Sequence, residues 1–176
     1  MKQYMQKLEE YKTLNNVAEK KSSVFFGADW LSSIPMTELA ESIGMPIYNR
    51  SLKGLRIEDA ESVLDTCVSS LDPGKVFISL GENDIAENDF DEDSFCEKYE
   101  WLLYTIHSKC SCEIYILSIP NDKASGVNIR LRRIAEKYGC EFIDVQNCRN
   151  SFMKFFSMVR YFLRSHPISF CEAMSM

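Results

Sequence analysis

A cluster of polar side chains follows a predicted buried strand near the middle of this 176-residue chain. Apart from Ser79, residues 76–80 are β-branched, aromatic or aliphatic, and the run ends at Gly81, a pattern typical of a strand buried on both faces. Glu82, Asn83 and Asp84 follow at once. Open α/β sheets place ligand chemistry at the carboxyl ends of their strands, so these side chains could bind a ligand or stabilise charge. The same residue types also suit an ordinary tight turn.

Two other polar loops stand at the ends of predicted strands. The apolar residues 24–26 run into Gly27, Ala28 and Asp29, and residues 47–48 run into a polar loop over residues 49–54. A strand-loop-helix unit therefore precedes the central strand, and a second polar loop lies between that unit and the central strand.

Elements that would position these loops alternate regularly along the chain. The patterns predict five strands, at residues 24–26, 47–48, 76–80, 114–117 and 142–145, and helices at residues 33–42, 57–71, 91–108, 127–138 and 152–163. Such alternation is typical of a parallel sheet with helices on both faces. We therefore predict a flavodoxin-like three-layer α/β/α sandwich with a five-stranded parallel sheet.

The amino-terminal segment predicts an amphipathic helix. Over residues 2–20, Met5, Leu8, Tyr11 or Leu14, and Val17 recur at three- and four-residue intervals among lysines and glutamates. We interpret residues 1–21 as a helix that packs on a single domain spanning residues 1–176, as a cover and not a site. No change in composition argues for a second domain.

Composition excludes several classes of function. The net charge of −6 and the scattered lysines and arginines argue against a nucleic-acid partner. No apolar run is long enough to span a bilayer and none resembles a secretory signal, so we expect a cytoplasmic protein without membrane partners. The seven cysteines are an odd set that suits reduced thiols. Cys110 and Cys112 lack a second pair to complete a metal site. We expect no metal and no cofactor, and the oligomeric state stays open.

The polar loops resemble blocks of one known family, the SGNH (GDSL-like) hydrolases, from about residue 24 to residue 174. The segment Gly-Glu-Asn-Asp at residues 81–84 is similar to the family's Gly-x-Asn-Asp block, and the loop at residues 49–54 looks like its second block. The resemblance implies an esterase, lipase or acylhydrolase on the predicted fold. It makes Asn83 the side-chain oxyanion donor and Gly54 the backbone oxyanion donor. Asn128 and Asp144 stand at familiar places in the following helix and strand.

Two blocks depart from the family pattern. Where the family has Gly-Asp-Ser after its first strand, this chain has Asp29 in the place of the catalytic serine. Ser32 and Ser33 would serve only if the turn were rebuilt, because a helical turn carries their hydroxyls away. Near the carboxyl terminus, His166 resembles the histidine of Asp-x-x-His but Leu163 replaces the aspartate. His166 is either the catalytic base or a histidine held by local packing.

By this resemblance, the chain has both hydrogen-bond donors for an oxyanion but lacks the serine nucleophile of the family. Acyl transfer needs an activated nucleophile together with donors aimed at the oxyanion. Asp29 could be a weak nucleophile, or a general base on water if burial raises its pKa. Asp29, Glu82 and Asp84 could also form a cation site, although solvated carboxylates are the simpler expectation.

These alternatives lead to two hypotheses of function. The first is an ester hydrolase, for acyl or acetyl groups, with a degenerate site that is weakly active or inactive and contains Asp29, Gly54, Asn83 and His166. The second is a non-catalytic domain that binds a small ester or acylated carbohydrate, or serves as a scaffold, with its pocket filled by a neighbour such as Trp30. A flavodoxin-like cofactor binder is disfavoured, because the loop after the first strand lacks a phosphate cradle.

Overall fold

The computed structural model describes residues 2–165, which form a five-stranded parallel sheet with helices on both faces. The strands are β1 (Ser23–Gly27), β2 (Ile47–Asn49), β3 (Lys75–Ser79), β4 (Glu113–Leu117) and β5 (Glu141–Ile143). Their order in the sheet is β2-β1-β3-β4-β5, and every neighbouring pair is parallel. This is the flavodoxin-like order, so the predicted fold class is confirmed.

Helices fill the connections between the strands. They are α1 (Met5–Leu14), α2 (Asp29–Ser32), α3 (Met36–Ile43), α4 (Ile57–Cys67), α5 (Glu92–Lys109), α6 (Ser125–Tyr138) and α7 (Phe152–Arg164). The helix predicted over residues 33–42 was wrong in its start, because Pro35 separates two shorter helices. The helix predicted to reach residue 71 ends at Cys67 and continues as a 3₁₀ turn, Ser69–Leu71. Gly139 ends α6 with a φ of 67°, as predicted.

Aromatic side chains connect the three central strands on one face of the sheet. Phe25, Phe77 and Tyr115 are partners in register, and neighbouring rings stack with centroids 4.5 Å apart. Alternate strand residues, such as Phe26 and Ile78, face the other layer. Each face therefore has its own core, and the sheet separates the helices α2, α3 and α7 from α1, α4, α5 and α6.

The amino-terminal helix packs on the domain with only part of the predicted stripe. Its buried residues are Leu8 and Tyr11, preceded by the buried Tyr4, whereas Leu14 and Val17 are exposed. The helix also stops at Leu14, and a 3₁₀ turn, Asn15–Val17, follows. This packing matters for the site, because the stripe lies against the loop that contains Gly54.

Candidate functional site

The turn between β1 and α2 sets the position of Asp29. Gly27 lies so close to β3 that a β-carbon there would be 2.2 Å from the carbonyl oxygen of Ser79. Only glycine permits this approach of the two central strands. The Ala28 amide donates to the same oxygen at 3.1 Å, and Asp29 begins α2 directly afterwards. Asp29 therefore stands at the carboxyl end of β1, beside the end of β3.

The loop after β2 brings a backbone amide to the same place. Gly54 has a φ of 81°, in the left-handed region that favours glycine. The Leu52 amide bonds to the carbonyl of Gly27 at 2.9 Å, which holds the loop beside the end of β1. From the outside, the Tyr11 hydroxyl donates to the carbonyl of Ser51 at 2.7 Å, and the Gln3 side chain lies next to Gly54.

Asn83 completes the group from the turn that follows β3. Its side-chain nitrogen donates to the carboxylate oxygen Oδ2 of Asp29 at 2.7 Å. The Gly54 amide donates to the same oxygen, also at 2.7 Å. These lengths are in the range of hydrogen bonds to charged acceptors. The two donors that the family resemblance assigns to an oxyanion thus both contact one oxygen of Asp29.

Glu82 binds the backbone of the first loop. Its Oε1 accepts a hydrogen bond of 2.6 Å from the Trp30 amide. Burial is the largest influence and raises the pKa of Glu82; the Trp30 hydrogen bond opposes this rise, and the nearby charge of Asp29 adds to it. Glu82 is therefore a half-buried acid that holds the start of α2 and not a solvated turn residue.

Asp84 is the most buried acid of the site, with 4% of the residue exposed. Both of its carboxylate oxygens accept from the Ile57 amide, at 3.1 and 3.2 Å. Burial raises the pKa of Asp84 to about 6, against the opposing effects of that amide and of Arg56. The expectation that the acids at the strand ends are solvated is wrong for Asp84, because it anchors the first turn of α4 just after Gly54.

The serines near Asp29 do not replace the missing nucleophile. The Ser32 hydroxyl donates to the carbonyl of Asp29 at 2.8 Å, and the Ser33 hydroxyl donates to the carbonyl of Trp30 at 2.6 Å. Both hydroxyls are thus engaged within their own helical turn, as the sequence predicted. The ring of Trp30 packs edge-on against Phe155 in the core. The carboxylate of Asp29, and not the indole, lies against the donors.

The fourth predicted site residue, His166, lies outside the described residues. The last described residue, Ser165, lies close to Lys75 at the amino-terminal end of β3, the edge opposite Asn83. His107 is in the last turn of α5, where its ring nitrogen is 4.0 Å from the Cys140 sulfur. The structure therefore brings together Asp29, Gly54 and Asn83, and the role of His166 stays a prediction.

Asn128 and Asp144, which stand at familiar places in the resemblance, bind backbone and hydroxyl groups near the ends of β4 and β5. Asn128 both accepts from the Ile119 amide, at 2.7 Å, and donates to the Ile119 carbonyl, at 3.0 Å. Asp144 accepts from the Ser118 hydroxyl at 3.1 Å. These contacts shape the chain after β4 and give neither residue a contact with Asp29.

The described residues contain no cluster of side chains that could bind a metal ion. Within residues 2–165, no three histidine, cysteine, aspartate or glutamate side chains converge to hold a metal ion. Asp29, Glu82 and Asp84 therefore do not form the alternative cation site, since each binds backbone or amide donors instead. The six cysteines in this part of the chain are free thiols. Nor does any helix there combine the length and apolar character needed to cross a membrane.

Sequence reasoning missed five contacts of the site. It assigned roles to Asp29 and the two donors, yet gave no sign that they bind each other. Position after a strand was a signal for Glu82 and Asp84, but their backbone partners, Trp30 and Ile57, come from the first turns of α2 and α4. No spacing or residue type in the amino-terminal segment pointed to Gln3 as a neighbour of Gly54.

Comparison with known proteins finds similarity in structure alone. No family model matches the chain, and no curated protein sequence matches it. A candidate acylhydrolase from Bacteroides fragilis superposes with a TM-score of 0.75 and 16% identity, over 92% of this chain and 98% of that one. A GDSL-like lipase from Bacteroides thetaiotaomicron gives 0.63 and 18%, over 78% and 77%. An acetyl xylan esterase gives 0.63 and 18%, over 72% and 79%.

These similarities define the class of fold. The protein has the α/β fold of GDSL-like lipases, acylhydrolases and acetyl xylan esterases, as the resemblance implied. Because the sequence identities to these three structures are below 20%, the comparison supports the fold alone. The chemistry has to be inferred from the residues of the site itself.

Proposed function

We propose that this protein is an SGNH-type ester hydrolase domain whose hydrolytic site has been disarmed. The observation that carries the proposal is the position of Asp29. Its carboxylate stands where the resemblance places a serine nucleophile, and one of its oxygens accepts from both Gly54 and Asn83 at 2.7 Å. The donors that would stabilise a developing oxyanion are thus engaged by the residue that replaced the nucleophile.

Two physical effects reduce hydrolysis in such a site. A carboxylate is a weak nucleophile toward ordinary esters, and the anhydride it forms needs a further activated water. A bound carboxylate also competes with the substrate carbonyl for the same two donors. What remains after loss of a triad serine is acceleration on the order of a thousandfold over water, from binding and oxyanion stabilisation. Occupied donors reduce that remainder further.

The proposed ligand class rests on a solved structure with the same fold. The solved structures with this fold include an esterase that, by its name, acts on acetyl xylan. A small ester or an acylated carbohydrate is therefore the substrate class for which we propose that the ancestral site was built. The free cysteines of residues 2–165 support the proposal that the protein works in a reducing compartment such as the cytoplasm.

The test is restoration of the nucleophile. Hydrolysis of short-chain aryl esters is measured for wild type, Asp29→Ser, Asp29→Ala and the double variant Asp29→Ser/His166→Ala, all confirmed folded by circular dichroism. We expect wild type and Asp29→Ala to be inactive above background. Asp29→Ser should gain activity, because it frees both donors and supplies a hydroxyl, and this gain should depend on His166.

Two outcomes would contradict the proposal. If wild type hydrolyses the esters and Asp29→Ala abolishes that activity, Asp29 is a working base or nucleophile and the site is altered instead of disarmed. If Asp29→Ser is folded and stays inactive, restoring the hydroxyl is not enough and the second hypothesis, a non-catalytic binding domain on the same fold, replaces the first.

A further inference from the structure

We propose that the Gly54 amide and the Asn83 carboxamide form a carboxylate-binding site and that Asp29 is its built-in ligand. The inference rests on the proposed function only in taking this edge of the sheet as the ligand edge. It concerns binding and needs no nucleophile, no base and no turnover. An outside ligand would have to present a carboxylate, or an oxyanion of similar shape, and displace Asp29.

The first support is the convergence of the donors. A backbone N–H and a side-chain N–H, from loops that follow β2 and β3, lie 2.7 Å from the same oxygen, Asp29 Oδ2. Among residues 2–165, no further donor binds this carboxylate, and Oδ1 accepts no hydrogen bond. The arrangement therefore recognises one oxygen and leaves the other free, as a site for a single oxyanion would.

The second support is that the donors are held without help from Asp29. The Asn83 side chain also donates to the Leu55 carbonyl at 3.1 Å, and the Leu55 amide bonds to the Leu52 carbonyl at 3.1 Å. Asp84 holds the Ile57 amide at the start of α4. Removing the carboxylate of Asp29 should therefore leave a preorganised, empty pair of donors and not a collapsed loop.

The third support is electrostatic. None of the ion pairs formed by residues 2–165 involves Asp29, so its carboxylate is held by neutral donors alone. A second acid lies near it, since the charge of Asp29 contributes to the raised pKa of Glu82. Exchange of Asp29 for a free carboxylate is thus an exchange of like for like and leaves no cation unpaired.

The size of the ligand follows from the atoms that a substitution removes. Asp29→Ala deletes one carboxyl carbon and two oxygens, which is the heavy-atom composition of formate. Formate should then occupy the same donors in Asp29→Ala. In wild type and in Asp29→Asn, the side chain still offers an oxygen to the donors and should exclude formate.

The experiment is a titration of isotope-labelled protein with sodium formate, followed by the Gly54 amide in nitrogen–proton correlation spectra. In Asp29→Ala, this resonance should shift and saturate, whereas sodium chloride at equal ionic strength should not move it. Wild type and Asp29→Asn should show no saturable shift. In Asp29→Ala/Asn83→Ala, the loss of one hydrogen bond to a charged ligand should weaken formate binding by about tenfold or more.

The outcomes separate this inference from the proposed function. If Asp29→Ala is folded and its Gly54 amide ignores formate, or responds equally to chloride, the carboxylate site is refuted. Asp29→Ser also lacks the carboxyl group, so it takes the same titration if Asp29→Ala does not fold. Formate binding without ester hydrolysis in Asp29→Ser would uphold the binding site and reject the disarmed esterase, and the reverse result would do the opposite.

Discussion

The two edges of the central sheet use opposite charges for a similar task. At the carboxyl-terminal edge, the acids Asp29, Glu82 and Asp84 accept from backbone amides of Gly54, Trp30 and Ile57. At the amino-terminal edge, the Lys75 ammonium donates to the carbonyls of Phe162 and Ser165 at the end of α7. At each edge, charged side chains thus connect separate segments of the chain by hydrogen bonds to backbone amides or carbonyls.

The difference lies in how well the charge is compensated. Lys75 meets the carbonyl end of a helix, where the helix dipole favours a cation, and has Glu113 4.0 Å away. The acids at the other edge lie near one another, and burial raises the pKa values of Glu82 and Asp84. Burial disfavours the charged form at both edges, because it also lowers the pKa of Lys75. The difference is that Lys75 has an opposite charge and a helix end as partners, whereas the acids have one another as neighbours. An edge that retains such charges is where binding or catalysis is expected.

Lys75→Met should have the largest effect on stability. The Lys75 side chain is 13% exposed, and its loss leaves carbonyls at the end of α7 without their donor. We expect the free energy of unfolding to fall by about 4 kcal/mol, because buried polar groups without partners are unfavourable. Urea unfolding followed by circular dichroism measures this change.

Lys109→Met is the matched control at an exposed ion pair. Lys109 and Asp65 are 2.8 Å apart, but their side chains are 42% and 76% exposed. The free energy of unfolding should change by less than about 1 kcal/mol. Equal losses in the two variants would show that Lys75 contributes as an ordinary surface charge, and the contrast between the edges would fail.

Asp84→Asn should have the next largest effect, and it should depend on pH. The pKa of Asp84 is about 6 in the folded protein against an ordinary 3.8, so folding binds a proton that the unfolded chain releases. This stabilisation is complete below about pH 4 and is lost as the pH rises to about 6. The loss amounts to about 3 kcal/mol. Asparagine still accepts from the Ile57 amide and does not ionise, so Asp84→Asn should lose less stability over that range.

Urea midpoints at pH 4, 5, 6 and 7 check this prediction, with Asp91→Asn as the control. Asp91 is an exposed acid that caps α5 through the amides of Asp93 and Ser94, and asparagine is an equally good cap. Asp91→Asn should follow the wild-type curve. If Asp84→Asn follows it as well, the buried acid does not oppose folding at neutral pH.

Gly54→Ala should have the smallest effect. Alanine at a φ of 81° is strained by about 1–2 kcal/mol, and its β-carbon would lie 3.1 Å from the Gln3 side-chain oxygen, which is free to rotate away. Gly139→Ala is the control, because Gly139 has a φ of 67° and nothing within 4 Å of a β-carbon. Similar losses of unfolding free energy are expected. A much larger loss for Gly54→Ala would mean that Gln3 is fixed over the site.

The sequence predicted the elements and their arrangement well, because each depends on a local pattern. Short apolar runs identified all five strands, and the alternation with helices predicted the layers. The errors came from competition between local signals. Pro35 divides a helix that periodicity alone made continuous, and Tyr4 is buried at the start of α1 where the pattern had placed Met5, which is exposed.

The site was predictable only as a set of positions. Strand ends and resemblance pointed to Asp29, Gly54 and Asn83, and the structure brings these three together. Where the Asp29 carboxylate points depends on the close approach of β1 and β3 at Gly27, which no local pattern encodes. The burial of Asp84 depends likewise on α4 packing over the turn after β3.

The hydrogen bonds of Asp29 also bear on how this chain can evolve. One side chain on α2 joins the loop after β2 to the turn after β3. Under the proposed function, a change of Asp29 to serine would shorten that side chain and give up both bonds in the same step that supplies the hydroxyl. Proteins are kept just above a threshold of stability, so such a step is removed more often than it is retained. Under the proposed function, any change from Asp29 to an active serine therefore begins with a protein that has lost two hydrogen bonds between its loops, even though other contacts keep those loops in place.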